Sequence, residues 1–241
     1  MDDVYELKLA GHPLRYAFRY PKTRLYFRSW LRPCSGEADI LTSPEKIARA
    51  HALIPDKNPE DYAEFKALCG LTGQALLRWD CCIFHAVAFL FGGRAWLLTA
   101  PSGTGKTTQF MNWRRLLPAE ITMISGDMPA LERKGDTITV HPSPWNGKEC
   151  IGSFLSAPLG GVVLLEQGKE NRMERIPPRE AIVALMRQFV ADPSTEEDIL
   201  ALCAMLDAIL HRPVWKLVNT GDLASTELLR ETLKGDCNET V

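Results

Sequence analysis

One eight-residue stretch, Ala100-Pro-Ser-Gly-Thr-Gly-Lys-Thr107, constrains the fold of this chain more than any other feature. It matches the phosphate-binding loop pattern G-x-x-x-x-G-K-[ST], with alanine in the place of the first glycine. Glycines in such a loop let successive backbone N–H groups point at a phosphate, and the following helix adds the positive end of its dipole. The residues expected to hold phosphates are Ser102, Gly103, Thr104, Gly105, Lys106, Thr107 and Thr108.

The segments on both sides of this stretch are those that a phosphate-binding loop requires. Residues 94–99 have the apolar pattern of a strand, and residues 106–116 can form a helix. Gly92-Gly93 joins the strand to an earlier apolar run, residues 85–91, which predicts a β-hairpin. Lys106 is expected to reach the terminal phosphates of a nucleotide, and the Thr107 hydroxyl to complete the shell of a magnesium ion.

Composition and charge argue against several classes of partner. The 241 residues carry a formal net charge of −2, without a long run of like charge, so no nucleic-acid or membrane surface is predicted. No segment approaches the roughly 20 apolar residues of a membrane span. The acidic N-terminus lacks the apolar run of a secretory signal, which favours a cytoplasmic protein.

Cysteine and histidine spacing gives no sign of a transition-metal site. The seven cysteines show no Cys-x-x-Cys pattern, and their odd number favours reduced thiols over a disulfide framework. His12, His51, His141 and His211 lie far apart in the sequence and form no ligand spacing.

We divide the chain into an accessory segment, residues 1–75, and a core domain, residues 76–241. Short alternating runs at residues 4–9, 14–18 and 24–27 predict three antiparallel strands in the accessory segment. Ser43-Pro44 and Asn58-Pro59 then predict the starts of two helices. In the core domain, strand patterns alternate with helical ones after the loop, which predicts an α/β fold.

Asp127 is the leading candidate for a metal-binding or basic carboxylate. It follows the apolar run Ile121–Ile124 and lies one helix and one strand beyond Lys106. If the two strands run parallel, the carboxylate lies at the carboxyl edge of the sheet, beside the loop. Phosphoryl transfer needs such a group in addition to a phosphate cradle. The alternative is a structural Asp in a turn after a strand.

These motifs together resemble the core of the HPr kinase/phosphorylase family. The resemblance lies in His85-Ala-Val-Ala-Phe, the Gly-Gly turn, the loop Ala-Pro-Ser-Gly-Thr-Gly-Lys-Thr and Ile-Ser-Gly-Asp127. That family is similar in its nucleotide site to the phosphoenolpyruvate carboxykinases, and kinases of lasso-peptide precursors are shorter relatives. Residues 85–127 match well, residues 128–220 match loosely in element order, and the first 75 residues do not match.

The resemblance implies an α/β fold with a P-loop nucleotide-binding core of the HPr kinase and carboxykinase type, preceded by a small strand-rich segment. It implies ATP and Mg²⁺ as cofactors. In that family, a histidine at the position of His85 lies near the transferred phosphate, and the position of Asp127 belongs to an acidic pair with metal and base roles. Gly126 occupies the first place of that pair, so this sequence departs from the family there.

The stretch Pro142–Glu149 contains two prolines, a tryptophan and Asn-Gly, which predicts a rigid turn. The resembled family places part of its acceptor site in this region. Lys148 could therefore neutralise charge on a nucleotide phosphate, and Glu149 could take the acceptor proton. A solvated Lys-Glu pair is the alternative.

The function expected from these features is ATP-dependent phosphoryl transfer to a protein, peptide or small-molecule acceptor. Lys106 and the loop amides would hold phosphates, Thr107 and Asp127 the magnesium ion, and His85 with Asp127 or Glu149 the acceptor. One alternative is a nucleotide-binding regulatory module that has lost catalysis, as Gly126 suggests. Another is a decarboxylating phosphotransfer enzyme of the carboxykinase kind, although the chain shows no second-metal ligands for it.

Overall fold

The structure is a computed structural model that describes residues 3–53, 59–101, 103–116, 118–147 and 150–238. Within these ranges the fold is mixed α/β, as predicted, with one three-stranded and one nine-stranded sheet. None of the helices in these ranges has the length and apolar character that spanning a lipid bilayer requires.

The three-stranded sheet lies in the first part of the chain. Its strands are β1 (Val4–Leu9), β2 (His12–Ala17) and β3 (Leu31–Cys34), in the order β2-β1-β3. Both pairings are antiparallel, and the β1–β2 turn consists of Ala10 and Gly11, which both have positive φ. Leu7, Leu9 and Leu14 point from one face of this sheet into the core.

Three helices complete the first part of the chain. They are α1 (Thr23–Tyr26), α2 (Pro44–Ala52) and α3 (Glu60–Leu76). The predicted cap of α2 is confirmed, because the Ser43 hydroxyl accepts a hydrogen bond from Lys46 N at 3.3 Å. Helix α3 begins after Pro59 as predicted, while Asn58 lies outside the described residues.

The strand predicted at residues 24–27 is wrong, because this segment is the short helix α1. A helical turn buries Thr23 and Phe27, four residues apart, on the same side. The Thr23 hydroxyl donates a 2.6 Å hydrogen bond to the carboxylate of Glu64, which is fully buried on α3. This long-range hydrogen bond stabilises the helical turn, whereas the alternation of apolar and polar residues over only four positions favours a strand weakly.

The nine-stranded sheet contains the core of the molecule. Its strands are β4 (Cys81–Ile83), β5 (Val87–Phe91), β6 (Arg94–Thr99), β7 (Thr122–Ser125), β8 (Ala130–Lys134), β9 (Thr137–His141), β10 (Ala157–Gln167), β11 (Arg172–Arg175) and β12 (Val214–Asn219). The order is β4-β8-β9-β10-β6-β5-β7, with β12 also paired to β10 and β11 to β12. Strand β10 is central, because it is parallel to β6 and β12 and its start is antiparallel to β9.

Helices cover both faces of this sheet. They are α4 (Lys106–Leu116), α5 (Pro178–Met186), α6 (Glu196–Leu210) and α7 (Leu223–Asn238). Helices α5 and α6 pack on one face, against residues such as Leu97 and Val162. Helices α4 and α7 pack on the other face, against their strand neighbours Leu98 and Val163. Alternate side chains of β6 and β10 therefore pack into two different hydrophobic clusters, because helices cover both faces of these strands.

The sheet places the phosphate-binding loop and Asp127 at the same edge. Strand β5 lies between β6 and β7 and is antiparallel to both. Strands β6 and β7 therefore run in the same direction. Their carboxyl ends, which lead into the loop and into Asp127, lie at one edge of the sheet, as the sequence predicts.

A third hydrophobic cluster joins the first part of the chain to the core. It contains Leu7, Leu14 and Phe65 from the first part, with Ile83 and Trp145 from the core. The indole N–H of Trp145 donates to the backbone oxygen of Phe65 at 2.9 Å. The division of the chain at residue 75 stays a prediction.

The buried carboxylate of Glu64 generates a prediction about stability. One oxygen accepts from Arg19 N (2.7 Å) and the Thr42 hydroxyl (2.8 Å), and the other from Tyr20 N (3.0 Å) and the Thr23 hydroxyl (2.6 Å). In Glu64→Gln either amide orientation turns an NH₂ group toward a backbone N–H. We therefore expect a loss of about 2 kcal/mol in the free energy of unfolding.

Urea denaturation of Glu64→Gln and wild type measures this loss. The matched control is Glu170→Gln, at an exposed residue outside the elements. Equal stability of the two variants would contradict the proposed role of the Glu64 hydrogen bonds.

Candidate phosphate-binding and catalytic site

The phosphate-binding loop forms a tight turn between β6 and α4. Pro101 O accepts hydrogen bonds from both the backbone N (3.3 Å) and the hydroxyl (2.8 Å) of Thr104. Gly103 and Gly105 have φ values of 83° and 103°, which favour glycine. A Cβ atom at either position would meet no atom within 4 Å, so the backbone conformation and not crowding requires glycine.

Lys106 is buried under the loop, at the first position of α4. Its ammonium donates to Ala100 O at 2.8 Å and lies 3.5 Å from Pro101 O. Burial lowers the pKa of Lys106, and the nearby negative charge of Asp127 opposes this effect. Thr107 is half-buried and Thr108 exposed on the first turn of α4, whereas Ser102 lies outside the described residues.

Asp127 lies two residues beyond the end of β7 and contacts two basic side chains. Its carboxylate is 3.3 Å from His85 Nε2 and 3.7 Å from Lys66 Nζ. Backbone hydrogen bonds fix the segment, because Asp127 O accepts from Ala86 N (2.9 Å) and Met128 N donates to Trp145 O (3.1 Å). The structure thus brings together His85 and Asp127 as the sequence analysis expected, and it adds Lys66.

His85 lies in the connection between β4 and β5, where two hydrogen bonds of its backbone hold it. The strand predicted to begin at His85 begins at Val87 instead. The His85 N–H donates to Gln188 O at 2.8 Å, and its carbonyl accepts from the Thr99 hydroxyl at 2.8 Å. Thr99 is the last residue of β6, directly before the loop. The histidine and the phosphate-binding loop are therefore fixed to each other through one hydrogen bond.

The charge of Asp127 is stabilised by its neighbours. Burial alone would raise the pKa of this carboxyl group, but the hydrogen bond with His85 and the charges of Lys66, His85 and Lys106 outweigh burial and lower the pKa below its ordinary value. Asp127 is therefore ionised at neutral pH. An ionised carboxylate at this place can ligate a magnesium ion or accept a proton.

Lys66 is a candidate site residue that the sequence analysis missed. It lies on α3, in the segment that has no recognisable motif, 61 residues before Asp127. Its ammonium also lies 5.9 Å from the centre of the Tyr62 ring, one helical turn earlier. No local signal identifies such a residue, because its role depends on how α3 packs against the core.

The turn that follows β9 approaches the backbone at position 126 so closely that only glycine fits there. A Cβ atom at Gly126 would lie 2.5 Å from Asn146 O and 3.1 Å from Ile151 O. The side-chain oxygen of Asn146 also accepts a hydrogen bond from Gly126 N at 3.4 Å. An aspartate cannot replace Gly126 unless this turn moves, so position 126 cannot supply a second carboxylate beside Asp127.

A cavity of about 720 Å³ opens beside Asp127. Residues of the first part of the chain, among them Arg28 and Lys66, form much of its wall, and the turn at Asn146 forms the rest. The aromatic residues that line it are Tyr26, Trp30, Tyr62, Phe65 and Trp145. Its volume lies within the range of small-molecule sites, about 300–1,000 Å³. Lys148 and Glu149 follow the same turn but lie outside the described residues.

The lowered pKa of Asp127 predicts a pH-dependent contribution to stability. A carboxylate with a folded-state pKa below its unfolded value stabilises the fold above its unfolded pKa, and this contribution is lost as the pH falls through the folded pKa. Asp127→Asn should therefore be less stable than wild type near neutral pH, by on the order of 1 kcal/mol. The difference should shrink as the pH falls below the ordinary pKa of an aspartate and through the lowered pKa of folded Asp127.

Urea unfolding of both proteins at several pH values tests this expectation. A constant difference across the acid range would show that the Asp127 charge does not contribute to stability.

Comparison with solved structures finds chains of similar fold, whereas two other comparisons find nothing. No protein-family model matches the chain, and the curated proteins give no match. The structure is similar to that of the HPr(Ser) kinase/phosphatase from Coxiella burnetii, with 12% sequence identity and a TM-score of 0.35. The aligned region covers 64% of this chain and 94% of that chain. A likeness of this degree carries no argument about function, so the function is argued from the residues of the site.

Proposed function

We propose that this protein is an ATP- and Mg²⁺-dependent phosphotransferase of the HPr kinase type. The observation that carries the proposal is the placement of an ionised Asp127, held by His85 and Lys66, at the same sheet edge as the loop that contains Lys106. Phosphoryl transfer requires a phosphate cradle, a metal-binding carboxylate and a group that handles the acceptor proton. The described residues offer a candidate for each role.

The chemistry of the site fits a magnesium nucleotide. The positive φ values of Gly103 and Gly105 are typical of a loop whose backbone N–H groups bind phosphate, and the buried ammonium of Lys106 donates to loop carbonyls, which a phosphate can replace. Thr107 and Asp127 offer the hard oxygen ligands that Mg²⁺ prefers. When bound, the magnesium nucleotide supplies the phosphoryl group and neutralises part of its charge.

His85 is the proposed group that handles the acceptor proton. A single carboxylate that ligates a metal is a poor base, because the metal holds its electron pairs. His85 lies beside that carboxylate and contacts it through Nε2, so Asp127 orients the imidazole. Glu149 stays a second candidate for this role.

The cavity beside Asp127 is the proposed acceptor site. It reaches Asp127 and Lys66 at one end, and aromatic rings form much of its wall. These surroundings suit an acceptor whose hydroxyl or carboxylate lies next to a planar or apolar group. Lys66 would orient the acceptor or bear charge that develops on the transferred phosphate.

A specific observation also supports the alternative of a nucleotide-binding module without catalysis. The backbone at Asn146 occupies the space that a second carboxylate at position 126 would need. Incubation of the protein with Mg²⁺ and labelled ATP separates the two functions. Hydrolysis or transfer supports the enzyme, and tight binding with unchanged nucleotide supports the module.

Lys106→Ala should abolish most nucleotide-dependent stabilisation, because it removes a charge from the phosphates and leaves the core intact. A ligand at 100 times its Kd stabilises by about 2.7 kcal/mol, which thermal denaturation detects readily. The measurement compares unfolding with and without Mg²⁺-ATP, and Lys169→Ala, at an exposed position, is the control. The same nucleotide-induced shift in Lys106→Ala and wild type would refute the proposed phosphate site.

His85→Ala should lower turnover by about 10²–10⁴-fold and leave nucleotide affinity nearly unchanged, since it removes a proton-transfer group outside the loop. Phosphate release from Mg²⁺-ATP, with water as acceptor, measures turnover when the acceptor is unidentified. Glu149→Gln is expected to have a similar but smaller effect. Full activity of both variants would leave Asp127 as the sole proton acceptor.

A further inference from the structure

A cluster of potential metal ligands lies away from the proposed phosphotransfer site. His12, Cys81 and Glu132 each offer one ligand atom, and these atoms all lie within 4.8 Å of one another. In the described part of the chain no other group of three such residues meets this spacing. Because the three residues are far apart in the sequence, their spacing gave no metal motif.

The sheet register brings these side chains to one place. Cys81 on β4 is the direct cross-strand partner of Glu132 on β8, so both side chains point to the same face. His12 begins β2, directly after the β1–β2 turn, and its ring stacks on the indole of Trp79 with centroids 4.6 Å apart. The cluster therefore joins the small sheet to an edge of the large one.

His141 on β9 lies beside the cluster but outside it. Glu132 pairs with Thr139, so His141, two residues further on, lies diagonally across the same face. Its Nε2 atom is 3.4 Å from the Glu132 carboxylate, but it does not share the mutual 4.8 Å spacing of the other three residues. Its Nδ1 atom lies 2.9 Å from the Ser156 hydroxyl. His141 is therefore a neighbour of Glu132 and is not counted among the ligands.

The distances and ligand types fit zinc. A tetrahedral zinc site with bonds of about 2.0–2.3 Å has ligand atoms about 3.3–3.8 Å apart. His12 Nε2 lies 3.3 Å from a Glu132 oxygen, and the ligand atoms of all three residues lie within 4.8 Å of one another. A thiolate and an imidazole favour zinc over magnesium or calcium. One thiolate and one carboxylate also neutralise the ion, as a buried position requires.

The ionic contacts of Glu132 alone do not explain the cluster. Lys134 Nζ also lies 2.9 Å from the carboxylate, but its side chain is 75% exposed and can withdraw into solvent. An ion-pair network accounts for Glu132, His12 and Lys134. It does not account for the placement of the Cys81 thiol beside Glu132, since this thiol is only 1% exposed and its hydrogen bond is to Trp79 O at 3.4 Å.

We propose that His12, Cys81 and Glu132 bind one zinc ion, with its fourth position left to water. Cys81 and Glu132 are buried, so the ion would lie at the junction of the two sheets. The ion would fasten the β1–β2 turn to β4 and β8. Strand β4 ends two residues before His85, and β8 begins three residues after Asp127. Zinc would therefore hold the strands from which both proposed catalytic groups extend.

Metal titration of the full chain, freed of metal with a chelator, tests the site. Cobalt(II) should bind with a thiolate-to-cobalt charge-transfer absorption, and one equivalent of zinc should displace it. Cys81→Ser should lose this absorption. His12→Phe keeps an aromatic ring against Trp79 and should lower zinc affinity by about 100-fold or more, since even residues behind the ligands contribute 10–100-fold.

The controls are Cys203→Ser and His211→Gln, which change an exposed thiol and an exposed histidine. Both should bind metal like wild type. Circular dichroism of the metal-free variants verifies folding, and His12→Phe, at a turn, decides the question if Cys81→Ser does not fold. Absence of the charge-transfer absorption in wild type, or unchanged zinc affinity in His12→Phe, would overturn the proposal.

Discussion

The β5–β6 hairpin determines where the proposed catalytic groups lie. Strand β6 ends in the phosphate-binding loop, and β5 pairs with β7 on its other side, so that Asp127 emerges beside the loop. The same hairpin begins just after His85, whose carbonyl is bonded to Thr99 at the end of β6. A single pair of antiparallel strands thus fixes the phosphate site, the carboxylate and the histidine within one rigid unit. Preorganised groups of this kind lower the reorganisation needed at the moment of reaction.

The first part of the chain completes the site from the opposite side. Helix α3 contributes two residues to this arrangement. Glu64 fixes residues 19–23 and Thr42 through four hydrogen bonds. Lys66, two residues after Glu64, contacts Asp127. Two residues within one turn of this helix therefore link the fold of the segment to the charge of the site. Trp145 packs against Phe65 of the same helix and positions the turn that covers Gly126. The segment without recognisable motifs is accordingly part of the cavity wall beside Asp127.

Local chemistry made much of the core predictable. The glycines of the loop, the Gly92-Gly93 turn and the Ser43 cap each act through neighbouring residues, so their patterns predict the structure directly. The helix at Thr23–Tyr26, the role of Lys66 and the meeting of His12 with Cys81 and Glu132 depend on contacts between distant segments. The short alternating run at residues 24–27 cannot reveal that the preceding Thr23 will donate to the buried carboxylate of Glu64, 41 residues later. For the same reason, histidines without ligand spacing in the sequence can share one face of the folded protein.

The single carboxylate and the additional lysine change the charge of the site in the same direction. An acidic pair balanced by the loop lysine alone would leave the site negative before a nucleotide binds. Here Gly126 removes one negative charge, since the turn at Asn146 fills its space, and Lys66 adds one positive charge. Asp127, Lys66 and Lys106 then sum to one positive charge, with His85 left out of the sum. A positive balance favours anions, so under the proposed function Lys66 would neutralise part of the phosphate charge.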